Sequence, residues 1–233
     1  MSDSHDEIGE RLLDAALEHV PFDGWSDTTF RAAIADCAVA PALARALYPR
    51  GAVDLALAFH ARGDAAMVKR LNETGLDSLR LRDKIAAAVR YRLEAVPDRE
   101  LVRRGTTLFS LPQHAADGAR AVWDTCDLIW TTLGDTAEDY NWYTKRATLA
   151  AVYSATLLYW LGDESDGHTA TWEFLDRRID NVMQVEKLKA DVNRNPLLKP
   201  LLAGPNWLLG HIRAPRRGRM SGLPGKVAAR NRA

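Results

Sequence analysis

Apolar side chains recur at helical spacing along most of this chain, and Pro or Gly stops nearly every run. Ile8, Leu12, Leu13, Ala16, Leu17 and Val20 open the pattern on one face. Pro21-Phe22-Asp23-Gly24 ends that helix. Ser26 or Asp27 caps a second carrying Phe30, Ile34 and Cys37, and Pro41 suits the first turn of a short third reaching Leu47. Tyr48-Pro49-Arg50-Gly51 breaks the chain before a fourth helix marked by Val53, Leu55, Ala56, Phe59, Met67 and Leu71. Further helices are predicted from Ser78 to Pro97, from Asp98 to Pro112, and over 114–133, 137–161 and 168–192. No segment alternates as a strand would, and no repeat is present. The expectation is all-α, with 233 residues enough for one sizeable core or two small domains.

Charge is distributed unevenly. The chain has 31 acidic and 31 basic side chains, and nine of the cations follow Asp191, the last acid; residues 1–191 therefore carry −9. An acidic body with a basic tail points to an anionic partner for the tail, phospholipid or nucleic acid. Cys37 and Cys126 have no metal-ligand or CxxC spacing, which suits a reducing compartment. Met1 to Glu10 is acidic and resembles neither a signal nor a transit peptide, so the expected location is cytoplasmic, peripheral on the cytoplasmic membrane.

One segment mixes chemistries. Asp139, Trp142, Tyr143 and Arg146 fall at i, i+3, i+4 and i+7 on one face of a long predicted helix. Aromatics beside Arg compose a recognition patch; the plainer arrangement is a core-facing Trp-Tyr pair with Asp139 and Arg146 paired at its rim. Trp123, Trp130, Tyr153, Leu157, Tyr159 and Trp160 are numerous for one core. They suit either a filled bundle or one opened by an apolar cavity for a long ligand.

Two resemblances follow from these residues. Ala-Leu, Gly-Trp, Phe and Leu-Tyr-Pro in the first module resemble tetracycline-repressor-type regulators. Its third helix, however, offers a groove only Arg45, with Arg50 beyond. The run from Thr144-Lys145-Arg146-Ala147-Thr148-Leu149 through Val152-Tyr153-Ser154-Ala155-Thr156-Leu157, Asp163-Glu164-Ser165-Asp166 and Thr171-Trp172-Glu173-Phe174-Leu175 resembles the coenzyme-Q-protein-nine family of ubiquinone-biosynthesis lipid-binding proteins. Ala155 departs from it, standing between Ser154 and Thr156 where two adjacent hydroxyls are expected. The match is most specific over 120–185.

The resemblance implies a tetracycline-repressor-like helical bundle with a degenerate N-terminal helix-turn-helix. It implies no catalysis and no cofactor beyond a bound lipid or isoprenoid. The implied partners are the di-iron demethoxyubiquinone hydroxylase, a phospholipid membrane and an isoprenoid quinone or its precursor, with no DNA and with homodimer formation left open. The implied hydroxylase contacts are Asp139, Trp142, Tyr143 and Arg146, and the candidate lipid-binding residues are Arg146, Trp130, Tyr153 and Leu157. The membrane contacts are Leu197, Leu198, Leu201, Leu202, Trp207, Leu208 and Ile212, an apolar cluster flanked by cations. The corresponding division is a 1–72 helix-turn-helix lobe, a 73–192 lipid-binding bundle, a 193–213 membrane-surface segment and a 214–233 basic tail.

The residues themselves argue against an enzyme. The six histidines are dispersed, Glu164 and His168 flank a turn, and there is no Gly-rich phosphate loop or Gly-x-Ser-x-Gly. The competing reading is a transcriptional regulator that senses a hydrophobic ligand.

Overall fold

The computed structural model describes residues 4–194, and every regular element among them is helical. The helices are α1 (His5–Asp23), α2 (Asp27–Asp36), α3 (Pro41–Leu47), α4 (Ala52–Glu73), α5 (Leu81–Glu94), α6 (Arg99–Ser110), α7 (Ala115–Thr132), α8 (Tyr140–Gly162) and α9 (Thr169–Arg194). Local chemistry sets most ends. Ser4 and Glu7 form a reciprocal capping box, and Ser26, Asp98 and Asp139 accept from backbone N–H groups of the first turns they precede. Gly24 takes φ 66°, a conformation disfavoured for other residues, and turns the chain from α1 to α2.

Two of the predicted boundaries move. Ser78 falls in a short 3-10 turn, and α5 begins at Leu81 without a side-chain cap. Asp83 supplies the acid of its first turn, which complements the helix dipole. α8 begins at Tyr140 rather than 137, so residues 140–146 form its first two turns, because the Asp139 carboxylate caps the helix through the Asn141 N–H at 2.9 Å.

The side chains form two apolar cores. Leu12, Leu13, Val20, Phe30 and Leu55 anchor the first, within α1–α3 and the start of α4. Met67, Val89, Leu93, Ile129, Tyr153 and Leu175 anchor the second, among α4, α5, α7, α8 and α9. The 22 residues of α4, about 33 Å of helix, serve both. α6 leans on the first core through Leu101, whose carbonyl accepts from Trp25 Nε1 at 3.1 Å.

Between its two apolar stretches α4 carries a buried acid. Asp64 Oδ1 accepts from Arg92 Nε of α5 at 2.6 Å and from Thr125 Oγ1 of α7 at 2.9 Å. Arg92 Nη2 donates to the His60 carbonyl at 3.0 Å, and His60 Nε2 lies 2.8 Å from Thr125 Oγ1. Gly63 makes room for the guanidinium, since a Cβ there would stand 2.5 Å from Arg92 Nη1. Gly63→Ala should therefore lower stability by about 1–3 kcal/mol through overpacking, although Ala is favoured over Gly inside a helix by about 1 kcal/mol. Urea unfolding of the two proteins checks the sign.

Candidate functional site: an apolar cavity and an aromatic patch

Small residues on facing helices leave a space between the two cores. Gly105 of α6, Gly118, Ala119 and Ala121 of α7, and Ala150 and Ala151 of α8 line a cavity of about 580 Å³. The size lies in the range of about 300–1,000 Å³ usual for small-molecule sites. Trp25, Phe59, Phe109 and Leu157 supply bulky apolar walls. His60, Arg92 and Tyr153 supply polar edges. Gly118 also permits close approach of α6, because a Cβ there would sit 2.6 Å from Phe109 Cβ.

The four candidate lipid residues separate in space. Tyr153 and Leu157 line this cavity. Trp130 lines a smaller one of about 200 Å³ with Leu81, Ile85 and Met183, and its Nε1 donates to the Lys145 carbonyl at 3.2 Å. Arg146 lines neither, being only 1% exposed and held by Asp127 at 2.6 Å and Asp135 at 3.1 Å. The helical aromatics expected to make the cavity mostly pack elsewhere. Trp160 is in the second core, and Tyr159 stacks on Phe174 with ring centroids 4.6 Å apart.

The segment 139–146 resolves into three roles. Asp139 is a cap and Arg146 a buried cation, so the two are not paired with each other. Trp142 and Tyr143 form the accessible part, joined by Trp123 from α7. Trp142 lies 4.8 Å from Tyr143 and 5.8 Å from Trp123 by ring centroids, and the Arg146 guanidinium sits 4.1 Å from the Trp142 centroid. The cation thus supports the patch from beneath. Burial opposes ionisation of Asp135, but hydrogen bonds from Lys145 and Arg146 outweigh it and hold its carboxyl below the ordinary range.

Sequence reasoning passed over His60, Asp64, Arg92 and Thr125. A signal existed: Asp64 stands three residues before Met67 and Arg92 three after Val89, each on a core-facing stripe where an isolated charge has no place. The expected membrane residues Leu197, Leu198, Leu201, Leu202, Trp207, Leu208 and Ile212 lie outside the described residues. Among the described residues no helix is long and apolar enough to cross a membrane, and no group of three His, Cys, Asp or Glu side chains could hold a metal.

This all-α architecture is a tetracycline-repressor-like fold. The solved TetR transcriptional regulator from Nitrosomonas europaea matches it with a TM-score of 0.62 at 20% identity, over 74% of this chain and 96% of that one, a likeness of fold. Residues 115–186 match the COQ9 family model. The chain is similar to COQ9 proteins over 78% of its length. It is 35% identical over 191 residues to the Drosophila melanogaster ubiquinone biosynthesis protein COQ9, covering 78% of this chain and 57% of the relative. The Homo sapiens protein of that name is 29% identical over 191 residues, covering 78% and 60%. The chain thus spans about three fifths of the length of these relatives. The relatives are named as mitochondrial, which overturns the expected placement on a bacterial-type cytoplasmic membrane.

Burial holds the His60 pKa down to about 4, and the Arg92 charge adds to the effect. The unfolded value is near 6.5, so between pH 4 and 6.5 the folded state binds fewer protons than the unfolded one. The stability contribution is full above pH 6.5 and should fall by about 3 kcal/mol as the pH descends to 4. Denaturant unfolding across that window should show a steeper slope for the wild type than for His60→Gln.

Proposed function

We propose that this protein is a non-catalytic lipid-binding accessory factor of ubiquinone biosynthesis, and that its cavity holds a polyprenyl-quinone intermediate. The observation that carries this reading is the apolar cavity of about 580 Å³ between the cores of a chain that matches the COQ9 family. Burying a tail there would contribute about 0.8 kcal/mol per CH₂. The reading keeps the division into a 1–72 lobe, a 73–192 bundle, a 193–213 membrane-surface segment and a 214–233 tail. The di-iron hydroxylase would dock on the aromatic patch while the membrane-surface segment meets anionic phospholipid.

The regulator reading finds little support at the helix-turn-helix. Arg45 lies 3.4 Å from Asp27 and over the Phe30 ring, and Arg50 is paired with Asp54 at 2.8 Å and Asp117 at 2.9 Å. Cations neutralised by neighbouring carboxylates are poor partners for DNA phosphates.

Organic extracts of the purified protein, before and after incubation with a ubiquinone analogue, should contain isoprenoid or phospholipid by mass spectrometry. Extracts empty in both samples would remove the cavity's assigned role.

The patch is tested separately. Tyr143→Ala should weaken hydroxylase pull-down by about 2 kcal/mol while leaving the melting temperature close to wild type. Arg146→Ala should lower the melting temperature sharply, by about 3–5 kcal/mol of stability, because a large buried side chain is lost and buried Asp135 keeps only Lys145 as a cationic partner. Pull-down unchanged for Tyr143→Ala would take the patch out of the interface.

A further inference from the structure

The cavity is not uniformly apolar. Arg92 and Tyr153 line it while being only 4% and 2% exposed, whereas Ser110 and Leu158 line it and are exposed. It therefore runs inward from an open rim to a polar inner end. On α6 the wall extends from buried Leu101 to exposed Ser110, about 13 Å of helix.

Buried donors ordinarily have partners. Arg92 spends Nε on Asp64 and Nη2 on the His60 carbonyl. Among the described residues, Nη1 donates to no protein acceptor and Tyr153 Oη has no hydrogen-bond partner. Two residues, each with an unengaged donor, thus line one cavity. The charge of Arg92 is balanced by Asp64 at 2.6 Å, and His60, held near a pKa of 4, is neutral at pH 7. Burial raises the Tyr153 pKa, so its hydroxyl keeps the proton it would donate.

We propose that Tyr153 Oη and Arg92 Nη1 form a head-group site for an uncharged oxygen acceptor, a ring carbonyl or ether oxygen, on an amphiphile whose tail lies along the apolar walls. The proposal rests on the lipid-binding reading above and deepens it: the cavity selects by head group as well as by tail. A phosphate head would meet an arginine already compensated by Asp64 and would lose its hydration without an equivalent partner. A pure hydrocarbon would leave both donors unpaired.

Calorimetric titration of the full chain with decylubiquinone, decylbenzene and decyl phosphate tests this, alongside Tyr153→Phe, which removes one oxygen and keeps the ring. The wild type should bind decylubiquinone at least fivefold more tightly than either of the others. Tyr153→Phe should lose about fivefold for decylubiquinone and nothing for decylbenzene. The infrared carbonyl stretch of bound decylubiquinone should be shifted down in the wild type and move back toward its free value in the variant. Equal loss for both ligands, no loss for either, or a preference for decyl phosphate overturns the head-group site. If the wild type binds decylbenzene and decylubiquinone equally, the head-group site fails and the apolar pocket stands. If it binds none of the three, the lipid-binding reading fails with it.

Discussion

The ion pair between Asp64 and Arg92 is the contact on which the two halves of this molecule depend. It lies where α4 leaves one apolar core for the other, and it ties α4 to α5 directly and to α7 through Thr125. Two buried charges at 2.6 Å contribute little net stability once desolvation is counted, but losing either leaves an uncompensated charge. The pair therefore acts as a registration device. Apolar helix faces can slide against one another at modest cost, whereas a guanidinium seated on Gly63 and bonded to one carboxylate cannot.

That registration has a consequence for the cavity. With α4, α5 and α7 joined by polar contacts, the glycines and alanines of α6, α7 and α8 face a gap that no neighbouring side chain fills. An unfilled apolar space ordinarily costs stability in proportion to its volume. The proposed lipid-binding role would offset that cost by filling the space with an apolar tail. The same polar contacts leave the inner wall supplied with donors.

The aromatic patch shows a similar economy of charge. Arg146 looks in sequence like a surface cation beside Trp142 and Tyr143. In three dimensions it is a buried strut, paired with Asp127 and Asp135 and stacked beneath Trp142. Above it the rings of half-buried Trp123 and Trp142 and of exposed Tyr143 pack against one another.

Sequence by itself determined the helical class, the order of the helices and most of their ends, because those depend on local terms: spacing of apolar residues, and caps such as Ser26, Asp98 and Asp139. It also carried the resemblance to the family that the comparisons match, through runs such as 144–149 and 171–175. Of the four candidate lipid residues, Tyr153 and Leu157 line the larger cavity. Only the tertiary structure decided that Trp130 and Arg146 lie elsewhere, that the cavity is made by small residues of three helices, and that Asp64, Arg92, His60 and Thr125 meet. Spacing along one helix reports which residues share its face, but the depth of that face, and whose charge lies opposite, is set by partners up to 98 positions away. A cavity is a property of what several helices together fail to fill, and no single segment encodes it.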